Sequence, residues 1–207
     1  MIVVQALKEY KVLEKIATIS LSNLRSARSI GSVIVILTAF MGALITNDVA
    51  LIALVPLTMT IAEKAKFEPM WIVIIQSQAA NIGSALTPIG NPQNLFLFEK
   101  YEIGIWEFGS LMPPFVVFGV CWTLVMNLLN TKRKIVFDVP SSEIREPQKL
   151  GIFIGCFLVV MLSVFRIIDF RVGLVLTVVV TLVLERRFFQ KIDYFLLGTF
   201  LLFFVFI

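Results

Sequence analysis

Apolar and polar positions fall in blocks along the chain. Residues 30–62, 70–98, 106–129, 150–165 and 172–184 are apolar runs separated by short charged stretches, and a further run opens at Tyr194. About 20 apolar residues in a helix cross a ~30 Å hydrocarbon core. A helix on the surface of a soluble domain would carry a polar stripe, and these runs carry none. The pattern predicts an all-α, multi-span membrane protein. Residues 8–29 differ, because Val12, Leu13, Ile16, Ile19 and Leu24 alternate with charges. They fit either an amphipathic helix on the membrane surface or a solvated connector. Residues 1–7 are apolar but far too short to cross, and read as the tail of a helix.

Two runs are interrupted. As one helix, residues 30–62 would be about 50 Å long, well beyond the hydrocarbon core. Thr46, Asn47 and Asp48 interrupt them near the middle. Two half-helices of roughly 20–24 Å joined there would make a re-entrant hairpin with a polar tip. Loop charge separates this from a single tilted span. With the hairpin, all but Lys100, Arg166 and Arg171 of the 18 cations share one side. A single span would divide them almost evenly. Cytoplasmic loops hold the Lys/Arg excess, so the hairpin is preferred and residues 8–29 lie in the cytoplasm. The second interrupted run, 70–98, holds Pro88, Pro92, Gly83 and Gly90 among Asn and Ser residues. It predicts a broken transmembrane helix whose freed backbone groups cannot face lipid. Pro113 and Pro114 read as a lesser kink in the span at 106–129.

Composition narrows the chemistry. The chain is 58% hydrophobic and 15% charged, with mean hydropathy +0.94. The net charge of +4 is spread between apolar runs, with no basic stripe interleaved with aromatics, so a nucleic-acid partner is not expected. The absence of His removes His-based triads and most zinc sites. Cys121 and Cys156 sit within apolar runs and read as buried small hydrophobes. No cleavable signal peptide is visible. An intramembrane aspartyl protease needs two facing Asp residues, and only Asp48 lies within a long apolar run; Asp169 is in a loop near Arg166 and Arg171. The chain is not expected to be an enzyme.

An intramembrane carboxylate is costly and is functional by default. Asp48, with the oxygens of Thr46 and Asn47 and freed carbonyls, suits Na⁺ or H⁺. Its alternative role is to cap the helix that follows. In the second break, Asn81, Ser84, Thr87, Asn91 and Asn94 offer amide and hydroxyl groups, and Gly83 and Gly90 permit close backbone approach. Half-helix N-termini there would favour an anion. The bland alternative is a tightly packed structural break that holds no ligand.

The motifs Ile45-Thr46-Asn47-Asp48-Val49-Ala50-Leu51 and Asn81-Ile82-Gly83-Ser84-Ala85-Leu86-Thr87-Pro88-Ile89-Gly90-Asn91-Pro92-Gln93-Asn94 resemble the ion transporter superfamily. The resemblance is strongest to its citrate-transporter-like and arsenite-permease-like anion permeases. It implies two inverted repeats, each with scaffold helices, a re-entrant hairpin and a broken helix. It implies secondary transport of an anion such as citrate, a dicarboxylate or arsenite, coupled to Na⁺ or H⁺, with Na⁺/H⁺ antiport as the alternative. Thr46, Asn47 and Asp48 match the family's hairpin tip, and Asn81, Gly83, Ser84, Thr87, Gly90, Asn91 and Asn94 its unwound segment. A coupling Na⁺ would sit among Asn47, Asp48 and Asn81; no other cofactor is implied.

Only one hairpin and one broken helix are present, so the chain reads as truncated at both ends. Residues 1–130 form a first repeat, 131–149 a cytoplasmic loop, and 150–207 the incomplete start of a second. Expected partners are a small anion or ion, the lipid bilayer of the plasma membrane, and either a second copy or a chain supplying the missing half. An inactive fragment or assembly subunit is the remaining alternative.

Overall fold

The computed structural model describes residues 2–21, 24, 26–129, 143–165, 167–192, 194, 195, 197, 198 and 202. Residues 131–142 of the expected cytoplasmic loop, Arg25, Arg166 and most of the run expected from Tyr194 lie outside them. The described residues are helical, without strands: α1 (Ile2–Glu9), α2 (Val12–Leu21), α3 (Ala27–Leu44), α4 (Asn47–Ala65), α5 (Met70–Ser84), α6 (Pro92–Lys100), α7 (Ile105–Asn127), α8 (Pro147–Val164), α9 (Phe170–Leu184) and α10 (Arg187–Gln190). Three of these, α3, α7 and α8, are long and apolar enough to cross a membrane, and α9 is a shorter apolar helix. Two compact units result, residues 13–143 and residues 1–12 with 144–207.

In the first of these, α3 and α4 form an antiparallel pair. Ile30 and Ile34, early in α3, pack with Ile61, late in α4, and with Ile72 at the start of α5; Ala65 and Phe67 lie against them. Both outer ends of the pair are therefore at one end of the unit. The legs are longer than the sequence suggested: 18 residues in α3 and 19 in α4, about 27–29 Å each. The difference comes from the polar ends. Arg28 and Ser29 are helical behind a Ser26 cap. Glu63 and Lys64 continue α4 until Lys66 turns left-handed.

The core of this unit is the seam between α3 and α5, which run side by side in the same direction. Val35 and Ala39 pack on Ile75 and Ala79. Further along, a Cβ on Gly42 would meet the Ala80 carbonyl at 2.8 Å, and one on Gly83 would overlap the backbone of Ala39. Small residues let two backbones touch, which is how helices associate where lipid gives no hydrophobic drive. Helix α7 returns antiparallel. Its last residue, the fully buried Asn127, donates to Arg28 O at 2.7 Å and Ser32 Oγ at 2.8 Å, and its Met126 carbonyl accepts from Trp71 Nε1 at 3.3 Å. Pro113 and Pro114 both lie within α7.

The single surface helix expected over residues 8–29 is instead divided among the end of α1, all of α2 and the start of α3. Lys11 takes φ 58° and ends α1. In α2, Leu13, Ala17 and Leu21 recur every four residues and are buried, while Ile16 and Ile19 face outward. In the other unit, α1 packs on α8 and α10. Helices α8 and α9 are antiparallel: Gly173 meets Ser163 at one end, and Lys149 binds Glu185 at 2.7 Å at the other. Tyr10, Phe153 and Phe188 form a ring cluster with centroids 5.5–6.1 Å apart.

The seam makes a prediction. Gly83→Val forces a side chain onto the Ala39 backbone and costs about 1–3 kcal/mol. Thermal unfolding in detergent should show a clearly lower midpoint. Gly109→Ala, inside α7 where a Cβ meets open space, should not lower the midpoint.

Candidate functional site

The chain breaks between α3 and α4 because Thr46 leaves helical geometry. It is extended at φ −174°, ψ 157°, and its hydroxyl accepts from Val49 N at 3.3 Å. Thr46, and not Asp48, is therefore the cap of α4. Asp48 sits exposed in the first turn, where a carboxylate complements the positive end of the helix dipole.

Helix α5 stops at Ser84, and α6 restarts at Pro92 behind an extended Asn91 whose Oδ1 accepts from Asn94 N at 2.8 Å. Proline at the first helical position needs no amide partner. Residues 85–91 between them are held by their own polar groups. Asn94 Nδ2 donates to the carbonyls of Ser84 (3.3 Å) and Thr87 (3.1 Å). Asn91 Nδ2 donates to Ser84 Oγ at 3.1 Å, and Ser84 Oγ to Asn81 O at 2.8 Å. Gly90 N donates to Thr87 Oγ1 at 3.1 Å. A Cβ on Gly90 would overlap the Ser84 carbonyl, so only glycine fits the closing turn.

The two breaks are stitched together. Asn47 N donates to Gly90 O at 3.1 Å, Asn47 Nδ2 donates to Asn81 Oδ1 at 2.9 Å, and the Thr87 hydroxyl donates to Ala43 O. Two helix C-termini, of α3 and α5, and two N-termini, of α4 and α6, converge at this junction. All ten sequence-predicted residues lie on its two segments. Their roles divide. Gly83, Ser84, Thr87, Gly90, Asn91 and Asn94 build and close the break, with Ser84 and Asn94 buried. Asn47 and Asn81 bind the tip to it. What remains unspent is the exposed Asp48 and Asn47 Oδ1, a buried acceptor with no protein hydrogen bond among the described residues.

The structure adds residues that the sequence reading missed. Ala43 supplies a carbonyl, which no side-chain pattern announces. Gln76 and Thr58 are fully buried between α5 and α4, with Thr58 Oγ1 3.0 Å from both Gln76 Oε1 and Leu54 O. Their signal was present as isolated polar residues inside apolar runs. No cluster of three or more acidic or Cys side chains that could hold a metal occurs among the described residues.

The chain is 35% identical over 209 residues to an uncharacterized transporter of Methanocaldococcus jannaschii, covering 99% of this chain and 56% of that protein. It is 24% identical over 100 residues to a transporter of Dictyostelium discoideum designated arsB, covering 48% of this chain and 18% of that protein. It is 31% identical over 93 residues to the rice silicon efflux transporter LSI3, covering 45% of this chain and 19% of that protein. The chain thus spans about half the length of the first of these relatives and less of the others. The pattern that defines the citrate transporter family matches residues 1–207, and the chain, an integral membrane protein, belongs to that family.

Proposed function

We infer that this chain carries one half of the translocation site of a secondary active transporter for an anion such as citrate, a dicarboxylate or arsenite, coupled to Na⁺ or H⁺. The single observation that supports this best is the junction of the two helix breaks, which leaves Asn47 Oδ1 buried and unpartnered beside the Asp48 carboxylate. Broken helices that meet at depth are how membrane transporters build ion and substrate sites. An unpaired buried acceptor is costly unless a donor or cation fills it. In this scheme the pair α3–α4 is re-entrant, and its tip lies within the bilayer. The coupling cation binds among Asn47, Asp48 and Asn81. Its charge, with the N-termini of α4 and α6, then favours an anion beside Ser84 and Asn91. The family description and the names of the arsB and silicon efflux relatives support a small oxygen-rich solute without choosing among them.

Flux into proteoliposomes is the test, with the polypeptide that contains this chain reconstituted and a Na⁺ or pH gradient imposed. Gradient-driven uptake of citrate, a dicarboxylate or arsenite is expected. The absence of flux for all three under either gradient would refute the proposal. Asp48→Asn removes the charge but not the shape, and should lower coupled uptake about tenfold or more. Topology has its own check. Cysteines placed at Arg28 and Lys64 should label from the same side of the membrane, and labelling from opposite sides would exclude a hairpin.

A further inference from the structure

A second polar site lies away from the junction, within the unit formed by residues 1–12 and 144–207. It is a pocket of about 180 Å³ lined by Tyr10, Arg145, Arg187 and Phe188 together with ion-paired side chains. Arg145 lies just before α8, and Arg187 opens α10 just after α9 ends. The pocket therefore sits where two apolar antiparallel helices meet the water boundary.

Its charges are unevenly paired. Lys149 is held by Glu146 at 2.6 Å and Glu185 at 2.7 Å, and Lys191 by Glu9 at 2.7 Å. Arg145 and Arg187 make no ion pair with a described residue and are exposed. Three carboxylates and three cations line the pocket, but all three carboxylates are held by lysines, two of them by Lys149 from outside the lining, which leaves both arginines without a carboxylate of their own. At the back of the pocket is Tyr10, 3% exposed, with its ring fixed against Phe153 and Phe188. Its hydroxyl is buried without a hydrogen-bond partner. Burial, and then the Glu185 carboxylate, push this hydroxyl up to about 12, so it keeps its proton and is a donor. A buried donor without an acceptor is costly. An acceptor oxygen bound in the pocket that Tyr10 lines would satisfy it.

We propose that this pocket binds a singly charged phosphate group, with Tyr10 donating to one oxygen and Arg145 and Arg187 flanking the others. Arginine suits this because its planar fork pairs with phosphate oxygens. The group can come from two sources, an anionic phospholipid headgroup or free inorganic phosphate. Position favours the lipid: Leu182 and Val183, the apolar residues of α9 that come just before the lining Glu185, are exposed and offer a surface for acyl chains. Basic pockets at the ends of membrane helices bind lipid headgroups in this way.

The test is retention of lipid by the purified full chain, read by native mass spectrometry after exchange with phosphatidylglycerol or with zwitterionic phosphatidylcholine. Phosphatidylglycerol should be retained in preference. Arg145→Gln and Arg187→Gln should each lower its retention about fivefold. Lys64→Gln, an exposed cation on α4, should not. Tyr10→Phe keeps the ring packing and removes only the donor; it should also weaken retention, and it remains readable if an arginine variant does not fold. Displacement of the lipid by inorganic phosphate, or protection of the fold by inorganic phosphate alone, would identify a soluble source for the same pocket. Equal loss with Lys64→Gln would show general surface charge and overturn the proposal. So would unchanged retention in Tyr10→Phe and both arginine variants with no effect of phosphate.

Discussion

A peptide group in hydrocarbon must find its hydrogen-bond partner inside the protein, because no water is there to supply one. The same demand falls on any buried stretch where helices stop, and between residues 44 and 92 of this chain two helices stop. Four helix termini would each leave amides or carbonyls open. Here the open groups of one break are answered by the other. The Asn47 amide finds Gly90 O, the Ala43 carbonyl finds Thr87, and the Asn47 side chain finds Asn81. The Asn-rich composition of the second break is explained by this need. Asn carries both donors and acceptors, and Asn91 and Asn94 use them to close residues 84–94 on themselves.

The seam between α3 and α5 makes the arrangement possible. The breaks could not reach each other unless the preceding helices ran close and in register. Gly42 and Gly83 let their backbones touch the other helix directly. At the opposite end, Asn127 of α7 ties the start of α3 by two hydrogen bonds. The unit is therefore fixed at one end by side-chain amides and at the other by the junction, with a packed apolar stretch between.

Much of this was legible in the sequence. Thr46 and the Asn91-Pro92 pair are of residue types that start helices, and the structure uses both in that way, although the sequence reading gave the cap to Asp48. The interruption of the run at 70–98 was visible from its Pro and Gly. Helix lengths were less legible. Arg28, Glu63 and Lys64 look like loop residues by charge, yet they lie at helix ends, where charge is well tolerated. The break at Lys11 was hidden, because a left-handed lysine has no composition signal. Nor could composition show that α1 packs with α8 and α10, since contact between residues far apart in sequence leaves no local pattern. At the junction, the ten candidate positions all lie on the two segments that meet, but their division into builders and free groups depends on geometry. Asp48 looked like a cap because of its position, and Thr46 took that role because its backbone, one step earlier, is the one that turns.

The pairing of Asn47 with Asn81 spans 34 residues of sequence. Synthesis runs from the N-terminus, so the tip is made well before its acceptors exist. A ribosome that has just released α4 holds a helical pair whose polar turn has nothing to bind. The turn's hydrogen-bond partners exist only once α5 and the loop after it have been made, so the junction can close only late in the synthesis of this unit.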